Sequence, residues 1–138
     1  MNRQELQDLS KLRLREARLL LAAGSPDGAY YLAGYSVECA LKARIAKRTK
    51  EYDFPEKPEL VRKFYVHKLT ELMVLSQLAP LLDVAIRTNV RLKVQWDIVQ
   101  RWSEESRYQR NDLAAAEALL QAIDDGSGGV LPWITLHW

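Results

Sequence analysis

One cysteine, two histidines and two phenylalanines are all that this 138-residue chain holds of those types. A single cysteine excludes an internal disulfide and fits a reducing compartment. Cys39 falls in an apolar stretch, where a small buried thiol is the simplest role. Two widely spaced histidines and one cysteine do not make a conventional zinc spacing, so no metal site is expected. The six glycines form neither GxGxxG nor GxxxxGK(S/T), so neither common phosphate-cradling loop is present and no cofactor is called for. No apolar run approaches the roughly 18–20 residues needed to cross a bilayer. The first residues, Met1 to Asp8, lack the apolar core of a secretory signal. A cytoplasmic protein without membrane contact is the expectation. There is no strand alternation, hairpin turn or internal repeat, and only a mild basic excess. Twenty basic residues against 18 acidic ones leave +2, which permits contact with nucleic acid without arguing for it.

What the chain does have is helical periodicity. Leu6, Leu9, Leu12, Ala17, Leu20 and Leu21 recur on one side of residues 4–23, with Gln4, Asp8, Lys11, Arg15 and Arg18 on the other. Gly24 to Gly28, with Pro26, stops that helix. A second helix, from about Pro26 to Arg48, is apolar almost all round and belongs in the middle of a fold. Its basic end, Lys42, Arg44, Lys47, Arg48 and Lys50, complements a helix C-terminus and would also form a positive patch. Pro55 and Pro58 mark an irregular loop or broken helix over 51–66. A short helix over 67–79 ends before Pro80. Leu81, Ala85, Thr88, Leu92, Trp96, Val99 and Trp102 form a stripe through 81–102, with an interruption expected near Asn89. Asp112 is placed to cap a last main helix carrying Leu113, Ala116, Leu120 and Ile123. The fold expected is all-α, an up-and-down bundle of about five helices over 1–125. Residues 126–138 then read as a flexible Gly-rich linker and an apolar, Trp-bearing tail that docks.

Three groups of residues carry candidate chemistry. Glu38 and Lys42, one acid and one base four residues apart in an apolar helix, should pair. They make either a structural ion pair, joined by Arg13 of the first helix, or a polar patch at a cleft or interface. Arg107, Tyr108, Arg110 and Asn111 precede a helix N-terminus. Arginine matches phosphate geometry and tyrosine stacks on an unpaired base, so these four suit RNA or a nucleotide. The same residues also suit a capped loop whose arginines pair with Glu104, Glu105 or Asp112. His67 with Arg62, four residues between them, supplies an acid–base group beside a charge stabiliser. A helix-start or partly buried histidine explains His67 more simply. No Ser/His/Asp or Cys/His set is indicated.

The string Tyr31-Leu-Ala-Gly-Tyr-Ser-Val-Glu-Cys-Ala-Leu-Lys-Ala43 resembles the second helix of bacterial HEPN-domain proteins. Trp96, Trp102, Ser106-Arg107-Tyr108 and the ending Gly129 to Ile134, closing on Trp138, add to the likeness, which covers nearly the whole chain. The resemblance implies a four-to-five-helix bundle that forms a homodimer. It further implies a role in toxin–antitoxin or phage-defence modules, with a nucleotidyltransferase as the partner protein in one branch. Many members are metal-independent RNases using an Arg-x4–6-His motif, and others are binding or regulatory modules. In the nuclease members that motif lies near the start of the last main helix. Here the corresponding positions after Arg107 are Asp112, Leu113 and Ala114, and those after Arg110 are Ala115, Ala116 and Glu117. The leading expectation is therefore a module that binds RNA or nucleotide. An RNase using His67 with Arg62 or Arg107, and a purely structural protein-interaction module, are the alternatives.

Overall fold

The computed structural model describes residues 1–51 and 65–138. The expected loop over 51–66 falls mostly outside them, as does Arg62. The described residues contain no strand and form seven α-helices and one short 3-10 helix. These are α1 (Arg3–Ala22), α2 (Pro26–Glu51), α3 (Leu69–Leu75), α4 (Ala79–Thr88), α5 (Val90–Val99), the 3-10 turn Glu104–Tyr108, α6 (Leu113–Asp124) and α7 (Val130–Thr135).

Helix α1 starts on a reciprocal cap. The Asn2 side chain accepts from the Glu5 amide at 2.9 Å, and the Glu5 carboxylate accepts from the Asn2 amide at 2.8 Å. It ends on Gly24 at φ 79°, where the Gly24 and Ser25 amides donate to the Leu21 and Leu20 carbonyls. This left-handed termination uses orphan carbonyls of the last turn and reverses the chain into α2. The two helices run antiparallel and close together, and the Ser10 hydroxyl donates across the seam to the Ser36 carbonyl at 2.7 Å. The buried line on α1 is Gln7, Ser10, Leu14 and Ala17, so that of the residues expected on its apolar side only Ala17 is fully buried. Small side chains let the backbones approach, and Leu6, Leu9 and Leu12 flank the seam half-buried. Arg13, expected on this seam beside Glu38, pairs instead with Glu16 at 2.7 Å.

The core is built around α2. Ala29, Ala33, Val37, Ala40 and Leu41 are fully buried, and α2 packs against α1, α3, α6, α7 and the 3-10 turn. The short third helix spans less than its expected range, and Pro80 lies in the first turn of α4 rather than beyond a helix end. A proline there lacks only an amide that has no intrahelical partner. Gln77, at φ 60°, stands in the connection, and α3 and α4 meet at 105°. The stripe over 81–102 is broken at Asn89, which ends α4 and whose side chain accepts from the Leu92 amide at 3.0 Å to start α5. Asp112 caps α6 through the Ala115 amide at 2.8 Å.

Where a flexible linker is expected after Asp125, the chain makes a tight turn, with Gly128 and Gly129 buried and the Gly129 amide donating to the Asp125 carbonyl at 2.7 Å. Helix α7 then places Val130, Leu131 and Ile134 in the same core as α2 and α6. Among the described residues no single helix is long and apolar enough to cross a membrane.

Candidate functional site

Tyr31, Tyr35, Glu38 and Lys42 follow one another at steps of four, three and four, so α2 presents them along a single face. That face gathers the candidate residues that sequence order keeps apart.

At its far end lies the ion cluster. The Glu38 carboxylate is buried, with 1% of its side chain exposed. Its Oε1 accepts from Lys42 Nζ at 2.8 Å and from His67 Nδ1 at 2.8 Å. The expected Glu38–Lys42 pair is therefore present, with His67 as its third member. Both lone pairs of Oε1 are used, while Oε2 is buried and has no hydrogen-bond partner. His67 is 43% exposed on its side chain. With Nδ1 held by a carboxylate, Nε2 is the nitrogen left for other contacts. The residue sits two positions ahead of α3, as the helix-start reading expects.

Glu38 and Lys42 line a groove of about 990 Å³ together with Tyr35, Cys39, Tyr65 and the first turns of α1. Burial, reinforced by Glu38, pushes the Cys39 thiol up to about 12, so it stays protonated and inert. Burial, then Glu38, also raises the Tyr35 hydroxyl above its ordinary range. Among the described residues no group of three His, Cys, Asp or Glu is arranged to hold a metal ion.

At the near end of the face is an aromatic platform. Tyr31 stacks on Trp102 with centroids 6.2 Å apart and meets Tyr35 edge-on at 5.8 Å. Arg107 reaches this platform from the 3-10 turn. Its guanidinium lies 4.8 Å from the Tyr108 ring centroid, and Tyr108 followed by Tyr31 raises its already high pKa further. Both Arg107 and Tyr108 are exposed, Tyr108 by 79%.

Arg110 and Asn111 are engaged differently. Arg110 Nε pairs with Asp27 Oδ2 at 2.8 Å, and the Asn111 amide donates to Asp27 Oδ1. Asp27, in the first turn of α2, thus clamps the loop. The acidic partners expected within the loop, Glu104, Glu105 and Asp112, do not take that role for Arg110. The basic end of α2 is also largely committed. Arg44 and Lys47 donate to the His137 carbonyl at 2.9 and 3.5 Å, which ties down the tail.

The four-residue group therefore divides, with Arg107 between the exposed Tyr108 and Tyr31 of the platform and Arg110 and Asn111 serving as a tether. Tyr31, Tyr35 and Asp27 were not singled out from sequence as site residues. The first two were readable as an i,i+4 pair in register with Glu38, whereas Asp27 carries no local signal of its distant partners. Comparison of the chain with family models, with curated proteins and with solved structures finds no match.

Proposed function

We propose that this chain is a cytoplasmic HEPN-like helical protein that forms a homodimer, holds RNA or a nucleotide, and works with a nucleotidyltransferase partner in a toxin–antitoxin or phage-defence module. The observation that carries the ligand half of this reading is the exposed Arg107–Tyr108 pair beside the Tyr31–Trp102 stack. A cation over an aromatic ring, next to further rings, meets the two needs of an unpaired nucleotide: charge for the phosphate and a flat surface for the base. The partner, module and dimer rest on the resemblance carried by the Tyr31–Ala43 string, which forms the central helix α2.

Binding of a fluorescent single-stranded RNA, compared between the native chain and the Arg107→Ala/Tyr108→Ala double variant, tests the ligand half. Loss of one stacked base costs about 1–3 kcal/mol, so the double variant should bind about 5- to 150-fold more weakly. Equal affinity would remove this surface from the reading. Light scattering on the same samples should give twice the 15.9 kDa chain mass. A monomer that binds neither RNA nor nucleotide would overturn the proposal.

The Glu38–His67 contact at 2.8 Å favours a second reading, a metal-independent RNase. A carboxylate that orients the imidazole through one nitrogen leaves the other to move a proton at the 2′-hydroxyl or leaving oxygen. Arg107 or Arg62 would then stabilise charge on the phosphate. Cleavage that persists in EDTA and disappears in His67→Ala would establish this activity, while cleavage that survives the substitution would exclude His67 from it.

A further inference from the structure

Asp27 and Tyr31 lie one turn apart on the same face of α2, and each has an arginine of the 107–110 segment against it. Arg107 reaches Tyr31 with its guanidinium beside the Tyr108 ring, and Arg110 Nε pairs with Asp27 Oδ2 at 2.8 Å. The two guanidinium groups are therefore anchored at points about 5–6 Å apart, a spacing that neighbouring phosphates of a flexible single strand can meet. They differ in one respect. Arg107 rests on tyrosines, while Arg110 already holds an anion, the Asp27 carboxylate. That carboxylate divides its oxygens, Oδ1 accepting from the Asn111 amide and Oδ2 from Arg110. The first bond fixes backbone. The second ends on an arginine side chain that is 95% exposed, and an ion pair so open to water is worth little. A guanidinium holds a phosphate more firmly, through two parallel charge-assisted hydrogen bonds. Exchange of one anion for the other leaves the segment tethered through Asn111.

We infer that Arg110 is a second phosphate contact for single-stranded RNA and that Asp27 withholds it, acting as a built-in competitor that an incoming strand displaces. The inference rests on the reading of the Arg107–Tyr108 surface as an RNA site. A strand with one phosphate on Arg107 brings the next within reach of Arg110, so the second contact forms at the high effective concentration of a tethered group. A nucleoside monophosphate carries a single phosphate and leaves the Asp27–Arg110 pair in place. The ligand class is accordingly a single strand with at least two successive phosphates. Until such a strand arrives, Asp27 also offsets the repulsion between two neighbouring arginines.

Affinity for a short fluorescent oligouridylate, measured over a series of salt concentrations for the native chain and its variants, tests this. Each phosphate contact to a single strand contributes about 0.7 to the slope of log affinity against log salt. Arg110→Gln should therefore bind more weakly and lower that slope by about 0.7, and Arg110→Lys, which keeps the charge, should restore it. Asp27→Asn removes the competing charge, while its side-chain oxygen can still accept from the Asn111 amide. It should bind the strand about two- to fivefold more tightly, the reverse of what loss of a purely structural clamp would do. That gain should vanish when Asp27→Asn is combined with Arg110→Gln. Circular dichroism checks that each variant folds, and if Asp27→Asn does not, the slopes of the Arg110 variants decide alone. An unchanged slope in Arg110→Gln, or a folded Asp27→Asn that binds no more tightly than the native chain, would overturn the inference. The Arg107–Tyr108 reading would then still stand if Arg107→Ala/Tyr108→Ala weakens binding. Absence of RNA binding by the native chain would remove both.

Discussion

Gly34 lies on α2 where the indole of Trp102 rests against the helix backbone, and a Cβ at this position would fall inside the ring's contact surface. Trp102 is 2% exposed and stacked on Tyr31, so it has little room to retreat. Overpacking of this kind costs about 1–3 kcal/mol, so Gly34→Ala should lower the urea midpoint accordingly. An unchanged midpoint would mean that the indole moves freely. The same residue supports the site, because it lets Trp102 lie flat under the platform that Arg107 reaches. At this scale the sequence is informative wherever partners are close along the chain. Glu38 and Lys42 are legible as an i,i+4 pair. His67, 29 residues from Glu38, joins them only because the fold brings the start of α3 beside α2. No local pattern announces such a contact.

Helix ends were legible for a similar reason. Capping is a short-range interaction between a side chain and amides two or three residues away, so Asp112 and the Gly24 turn could be read directly. The break at Asn89 shows capping prevailing over periodicity, because the apolar stripe continues across it while the Asn89 amide closes one helix on Ala85 and its side chain starts the next. Asn89→Ala removes the acceptor for the Leu92 amide and should cost about 1 kcal/mol of stability, read from chemical denaturation. A cost near zero would mean that water replaces the cap at no penalty. Which face of α1 is buried was less legible. Hydrophobicity points to the leucines, but close approach of two helices selects serine and alanine at the seam. Side-chain size outweighs polarity there because Ser10 satisfies its hydroxyl on the Ser36 carbonyl.

Across the whole molecule, the tail closes the bundle. Arg3 donates to the Trp138 carbonyl at 2.6 Å, Lys11 lies 5.7 Å from the Trp138 ring centroid, and Arg44 and Lys47 hold the His137 carbonyl. Burial, followed by the charges of Arg44 and Lys47, depresses the pKa of the His137 ring. The unfolded chain therefore takes up this proton more readily than the folded one. His137 leaves stability undiminished above the ordinary histidine value of about 6.5, and stability falls as pH drops through that value toward the lowered folded pKa. The melting temperature should hold steady from about pH 8 to 7 and decline toward pH 5, with part of the decline removed in His137→Gln. Trp133, whose ring centroid is 5.0 Å from that of His137, provides a fluorescence signal for the same titration. An identical pH profile in the variant would release His137 from this role. The basic end of α2, read from sequence as an open positive patch, is thus partly consumed in holding the chain's own tail.

Periodicity, capping residues and the paired charges on α2 are local properties, and they were enough to establish an all-helical chain with α2 at its centre and an apolar tail that had to dock. They act over at most a turn or two of helix, which is why a single sequence could reveal them. The meeting of His67 with Glu38, the reach of Arg107 to Tyr31, and the diversion of Arg110 to Asp27 came from packing. Each joins residues separated by tens of positions, beyond the reach of any local pattern. The candidate site is the product of those approaches.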